Sequence, residues 1–330
     1  MKERDKYFDV LKGYAIFLVA FCHCVQAFVP DWSATPVGRG IVMFHMPLFM
    51  CVSGYFFHPP VKEQSCWLFL RKKFEHLYLP SLCWGAFSVV LLGGNKWVQH
   101  KPMEWGYLCG VLFTGMWFLT VLFMLSVLGA LIHRQAHGAR AACLWAVAFA
   151  LLHFTPPTKY FVCLNELKFM LPFFVMGIYS KRFSWRGCRW WLFSLSALVF
   201  AYLLLRVYTF DFSVYSMGRD VLSLDYQVKA LVRLLAGVSG IVCSAWLCKW
   251  LLRCGPLSTW LSGLGTLTLP IYVLHQKFLM PVGLLHLQSG NLLLSLVASL
   301  VVMLLSVWVY RLLRHRYVRL LFFGESLPVH

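Results

Sequence analysis

Apolar residues run along this chain in blocks of roughly 17–25, the length needed to cross the hydrocarbon core of a bilayer. Short stretches rich in lysine and arginine separate the blocks. Ten spans are predicted on this pattern, at 9–29, 41–57, 77–94, 107–132, 141–154, 164–180, 190–207, 228–251, 260–283 and 291–310. The fourth has a second candidate start near Leu112, and Pro270 interrupts the ninth. The fold expected is all-α: a polytopic membrane helical bundle of about ten transmembrane helices, whose backbone groups are satisfied within each helix. A single transmembrane domain covers 1–330, with no internal repeat, no low-complexity segment and no separate soluble domain.

Composition strengthens this reading. The chain is 60% hydrophobic and 13% charged, whereas soluble domains run nearer about 45–50% and about 25%. A net charge of +18 raises the question of nucleic acid, but the basic residues sit in short loops and form no binding stripe. No nucleic-acid partner is expected. With the N-terminus in the cytoplasm, the inside segments hold nineteen of the thirty Lys and Arg residues, among them Lys6, Lys62, Arg134, Arg140, Lys181, Arg186, Lys249 and Arg314. That bias places both termini in the cytoplasm, and losing one helix would invert every later loop. The first apolar run lacks a small-x-small cleavage site and is read as retained. Most of the twelve cysteines lie inside apolar runs, so no disulfide framework is expected. Cys22-His23-Cys24 makes no metal site, because helical neighbours point about 100° apart and no paired CxxC exists elsewhere.

The first apolar run also carries the first candidate chemistry. Lys12 and His23 fall within about 20° of one line on a helix and about 16 Å apart along it, and Asp9 joins the same stripe. Ionisable groups aligned on an apolar helix are costly in lipid, so they are expected to face the interior. Imidazole suits proton transfer near neutral pH, which makes His23 the leading catalytic candidate. The second span holds FHMPLFMCVSGYFF at 44–57. There Pro47 interrupts the helix near its start, and Ser53 with Gly54 forms a slim patch for another backbone. His45 and His23 are expected to line one outward-facing cavity. Before the third span, Arg71, Lys72, Lys73 and His76 form a dense cationic run. It reads either as positive-inside anchoring with anionic lipid or as a site for donor phosphates, and spacing does not separate the two. Trp117 fits an interfacial aromatic belt. Tyr272 and His275 lie about one turn apart and suit either the interior or the outer interface. Segments 30–40 and 208–227, the latter with Asp211, Arg219, Asp220 and Asp225, are polar enough to touch an acceptor outside.

These pieces, in this order, resemble the acyltransferase 3 family of integral membrane acyltransferases. The family's Asp-x-x-(Arg/Lys)-Gly opening, with histidine eleven residues after the basic position, matches Asp9, Lys12, Gly13 and His23. Its Phe-His-Met-Pro-Leu-Phe element with a following Ser-Gly matches Phe44 to Phe49, Ser53 and Gly54. Trp117 to Leu119 matches its Trp-Phe-Leu element, and Ile271, Tyr272 and His275 match its Ile-Tyr-x-x-His. Lysine at position 12 and the FHMPLF wording are most similar to the fucose 4-O-acetylase-like branch. The resemblance covers essentially the whole chain. It implies an acyl-CoA donor reached from the cytoplasm and transfer to a hydroxyl of a carbohydrate or glycolipid acceptor at or beyond the outer face. His23 would be essential. The family's Arg-x-x-Arg before the third span is replaced here by Lys73 and His76, which keeps the charge in part and loses the guanidinium fork.

The expectation is therefore an O-acyltransferase of the bacterial cytoplasmic (inner) membrane, moving an acetyl or similar short acyl group onto a glycan. Its catalytic residues would be His23, Asp9 and Lys12. His45, Ser53, Trp117, Tyr272 and His275 would bind substrate, and Arg71, Lys72, Lys73 and His76 the acyl-CoA donor. No tightly bound cofactor is expected, acetyl-CoA being a substrate, and a homo-oligomer is compatible with the sequence. The rival reading is a transporter or flippase for a glycan or lipid-linked substrate, but no paired broken helices or repeat symmetry are found.

Overall fold

The structure is a computed structural model, and it describes residues 5–60, 65–98, 102, 105–156, 163–182, 185–187, 189–212, 220–284 and 287–325. Every regular element among the described residues is helical. The α-helices are α1 (Lys6–Phe28), α2 (Pro36–Tyr55), α3 (Cys66–Lys73), α4 (Leu79–Val98), α5 (Trp105–Thr114), α6 (Trp117–Gln135) and α7 (Gly138–His153). They continue with α8 (Leu164–Ser180), α9 (Trp190–Tyr202), α10 (Leu224–Leu251), α11 (Gly255–Thr266), α12 (Thr268–Leu284), α13 (Leu292–Leu312) and α14 (Arg316–Phe323). Local sequence sets several starts. The Asp5 carboxylate accepts from Tyr7 N–H at 2.9 Å ahead of α1. Thr35 caps α2 through Gly38 N–H, with Pro36 at the first helical position, and Ser223 caps α10 through Tyr226 N–H. Each cap satisfies a backbone donor that the helix leaves open, and proline there gives up an N–H that had no partner.

Among the described residues, seven helices are long and apolar enough to cross a membrane, or eight when α11 and α12 count as one bent span. The chain is thus a multi-pass membrane protein. The expected ten spans differ from this in three places, each with a local cause. The fourth divides at Gly115–Met116, because Met116 leaves the helical region at φ −115° and ψ 54°. The ninth bends by 83° between Thr266 and Thr268; Pro270 lies in the first turn of α12, where its missing N–H is harmless. The fifth and sixth appear as α7 and α8, of 16 and 17 residues, which are short for a full crossing.

The chain forms two compact units. In the first (Met1–Phe56, Phe173–Gly218 and Leu222–Leu312) α1 is the central helix, packed by α2, α10, α11, α12 and α13. Glycines set the closest approaches. Gly13 of α1 abuts the backbone of Leu261 on α11, and Gly265 of α11 abuts that of Asp9. Gly54 of α2 likewise meets Phe174, and Gly177 meets Cys51, so the slim patch predicted at Ser53–Gly54 does receive another backbone. Phe44 and Pro47 of the second-span motif seat on Gly240 and Gly237 of α10. A side chain at any of these positions would hold the helices apart.

The second unit (Phe57–Pro172, Arg219–Val221 and Leu313–His330) is built on one continuous helix, in which a π-helical turn, Phe74–Tyr78, joins α3 to α4. The amphipathic α14 lies on it. Trp84 Nε1 donates to Phe322 O at 2.8 Å, and His76 Nδ1 donates to Gly324 O. Ser81 and Thr120 pair their hydroxyls at 3.1 Å between α4 and α6. No disulfide joins any two of the described cysteines.

Candidate functional site

The C-terminal half of α1 and the middle of α12 bring three polar side chains together. His23 is partly exposed. Its Nδ1 is 2.8 Å from Gln26 Oε1, one helical turn on. Its Nε2 is 3.1 Å from the amide nitrogen of Gln276. An amide oxygen only accepts and an amide nitrogen only donates. Nδ1 therefore carries the proton, and Nε2 offers its lone pair to Gln276. Gln26 is itself held by its own amide nitrogen, 3.8 Å from Cys22 Sγ.

His275 stands beside this pair, its ring centroid 5.1 Å from that of His23. It is fully buried. Its Nδ1 donates to Ile271 O at 2.9 Å, while its Nε2 is buried with no hydrogen-bond partner among the described residues. His45 repeats the device on α2: it is buried, and its Nδ1 donates to Ile41 O at 2.8 Å. It lies within electrostatic range of His23. All three imidazoles are thus fixed as the same tautomer, each with Nε2 as its basic nitrogen. Tyr272, partly exposed, places its ring 5.9 Å from that of His275.

Asp9 and Lys12 lie elsewhere on α1. The eleven residues from Lys12 to His23 correspond to about 16 Å of helix, and Lys12 directs its Nζ to 4.0 Å above the centre of the Phe56 ring. Around it Phe8 stacks on Tyr55 at 4.3 Å, and Trp185 closes on both rings. Asp9 is buried in the first turns of α1, its carbonyl against Gly265. Ser53 is partly exposed beside Gly54.

Trp117, Arg71, Lys72, Lys73 and His76 belong to the second unit. Trp117 opens α6, partly exposed, with its ring 6.0 Å from Phe118. Arg71 and Lys72 are exposed, and Arg71 Nε pairs with Glu75 Oε1 at 2.8 Å. Lys73 lies 5.6 Å from the centre of Phe69. His76 sits in the π turn with Nδ1 committed to Gly324. Such turns mark many functional sites. Of the 208–227 segment, Arg219 lies outside the described residues. Arg39 and Arg233 donate to the carbonyls of Tyr208 and Phe212 at 3.1 and 2.9 Å, and Asp225 pairs with Lys229 at 2.7 Å. Burial pushes the Tyr208 phenol up, and Arg233 partly offsets this. A cavity of about 570 Å³ opens between α11 and α13, lined by Trp260, Leu264, Leu300 and Met303 among others, and none of the predicted site residues borders it.

Sequence reasoning missed Gln26 and Gln276. Gln26 was findable as the polar residue one turn beyond His23 on an otherwise apolar helix. Gln276 had no such signal, since its partner lies 253 residues away in the chain.

A membrane bundle that holds a partly exposed, basic imidazole has the makings of a group-transfer site. Residues 5–311 match the family model described as an acyltransferase domain (Acyl_transf_3), and the chain belongs to that family. Among curated proteins it is similar to Nodulation protein NolL of Mesorhizobium japonicum, 26% identical over 215 residues, which are 61% of this chain and 55% of that protein. It is also similar to Nodulation protein NolL of Sinorhizobium fredii, 34% identical over 87 residues, 25% of this chain and 24% of that protein. The chain thus spans about half the length of the first relative and about a quarter of the second. No solved structure matches it.

Proposed function

We propose that this protein is a membrane O-acyltransferase, which takes an acetyl or similar short acyl group from cytoplasmic acyl-CoA and places it on a hydroxyl of a cell-envelope or exported glycan. The observation that carries the reading is the His23 tautomer: a partly exposed imidazole with Nδ1–H held by Gln26 and a lone pair at Nε2. Nε2 takes the proton of the acceptor hydroxyl as its oxygen attacks the thioester carbonyl carbon. The C–S bond then breaks, and the departing thiolate of CoA recovers the proton. His45, Ser53, Tyr272 and His275 shape the acceptor side. Lys12 and Asp9 orient the inner part of α1, and Arg71, Lys72, Lys73 and His76 attract the donor phosphates. The membrane is the bacterial cytoplasmic membrane, in keeping with the bacterial relatives. Both termini lie in the cytoplasm, and α7 and α8 complete ten crossings.

The test uses purified protein in nanodiscs with [¹⁴C]acetyl-CoA and isolated cell-envelope glycan. Free CoA and labelled glycan should form together with the native protein and not with His23→Ala, at equal protein level. The 83° bend between α11 and α12 is the one observation that favours a transporter or flippase instead. That reading predicts no release of CoA with or without glycan.

A further inference from the structure

We infer that Gln276 is a catalytic donor whose carboxamide holds the base at rest and the acyl oxyanion during transfer; this rests on the acyltransferase reading above. The amide nitrogen of Gln276 lies 3.1 Å from His23 Nε2 and donates to the lone pair that must receive the acceptor proton. The resting site is therefore blocked by its own amide. An acceptor hydroxyl reaches Nε2 only by displacing it, and the displaced N–H then needs another acceptor. His275, the preceding residue, has a buried, unpartnered Nε2 whose lone pair is a neutral acceptor in this wall of the site.

The reaction supplies a charged acceptor, which binds an N–H more strongly than a neutral lone pair does. When the hydroxyl oxygen bonds to the thioester carbon, its proton passes to His23 Nε2 and the carbonyl oxygen becomes an alkoxide. The nucleophilic oxygen sits about 2.6–3.2 Å from Nε2, and the alkoxide oxygen is attached to the same carbon that this oxygen attacks. A donor already at hydrogen-bond distance from Nε2 thus lies within reach of the alkoxide after a side-chain rotation. Collapse of the alkoxide breaks the C–S bond and leaves an ester, and the thiolate takes the proton back from His23. The Gln276 N–H to alkoxide bond exists only in and around the transition state, so it lowers the barrier without tightening substrate binding.

The experiment measures CoA release and glycan labelling from [¹⁴C]acetyl-CoA by nanodisc-held protein carrying Q276A, Q276E, Q276N or H23A, each checked for a monodisperse fold. Q276A and Q276E should lower kcat about 10²–10³-fold, the usual loss of one oxyanion donor, with KM for acetyl-CoA within about threefold of native. Q276E keeps the size of the side chain and decides the matter if Q276A misfolds. Q276N should regain part of the rate. Diethyl pyrocarbonate should carbethoxylate His23 faster in Q276A than in native protein, because Nε2 has lost its donor, and a purely structural role would not produce a slower enzyme with a more reactive base. A kcat for Q276E within twofold of native, alongside an inactive H23A, would overturn the role of Gln276 alone. An active H23A would overturn the acyltransferase base itself.

Discussion

Gly265 of α11 lies against the backbone carbonyl of Asp9 in α1, so close that a Cβ has no room between them. One turn away Gly13 meets Leu261 in the same manner. The glycine of the Asp-x-x-Lys-Gly element is thus a packing residue, and it fixes how α1, and with it His23, sits against its neighbours. Gly265→Ala is expected to cost about 1–3 kcal/mol by forcing α1 and α11 apart. Gly263→Ala, two residues away with nothing within 4 Å of its added carbon, is expected to be neutral or to gain up to about 1 kcal/mol of helix propensity. Thermal unfolding in detergent should show a lower midpoint for the first and not for the second.

Gln26 should matter for a different reason. If His23 is the base, its Nδ1–H needs an acceptor to keep Nε2 unprotonated and aimed at the substrate. Gln26→Leu removes the 2.8 Å contact and leaves the helix intact. Its kcat for CoA release is expected to fall about 10–100-fold, less than the roughly 10²–10⁴-fold that a general base itself contributes, with KM for acetyl-CoA unchanged. A native rate in Gln26→Leu would mean that the tautomer is set by something other than this glutamine.

How far the sequence could be read follows the range of the interactions. Element type is local, and each of the ten apolar blocks does lie on helix. The break at Met116 and the bend at Leu267 are hidden because apolar character continues through them. Pro270 pointed to the right neighbourhood three residues late, since a proline is tolerated in the first turn of α12. The glycine patch at Gly54 was legible, because a small residue beside bulky ones has one obvious use. The alignment of Asp9, Lys12 and His23 on one stripe was also legible, but it implied a shared site. Helix rise keeps Lys12 at Phe56 and His23 at Gln276, so a common face does not make a common pocket. Gln276 reaches His23 only through the packing of α12 on α1, which periodicity does not encode.

His76 tests the C-terminal helix. Its Nδ1 donates to Gly324 O, and Gly324 ends α14 in the left-handed region at φ 63°. A Cβ at Gly324 would meet the His76 backbone, and the left-handed turn disfavours one in any case. His76→Ala and Gly324→Val should both loosen α14, by about 1 kcal/mol for the lost hydrogen bond. Limited trypsinolysis at Arg316 and Arg319 should then be faster in both variants than in native protein. Unchanged cleavage would show that the Trp84 bond to Phe322 is enough to hold the helix.

Arg71 separates the two readings of the basic run. Its pair with Glu75 is largely exposed on the arginine side, at 63%, and a helical pair of this kind contributes only about 0.3–0.5 kcal/mol. Glu75→Gln should therefore leave stability nearly unchanged. It also releases a guanidinium that a neighbouring carboxylate had partly neutralised. If the run attracts the phosphates of acyl-CoA, Glu75→Gln should lower KM for acetyl-CoA about two- to fivefold at low salt, and Arg71→Ala should raise it. Both effects should shrink as ionic strength rises, because screening at about 0.15 M acts beyond about 8 Å. If instead the run only anchors the helix and contacts anionic lipid, KM will be the same in all three proteins at every salt concentration. The orientation of the protein in the membrane will respond in place of the kinetics.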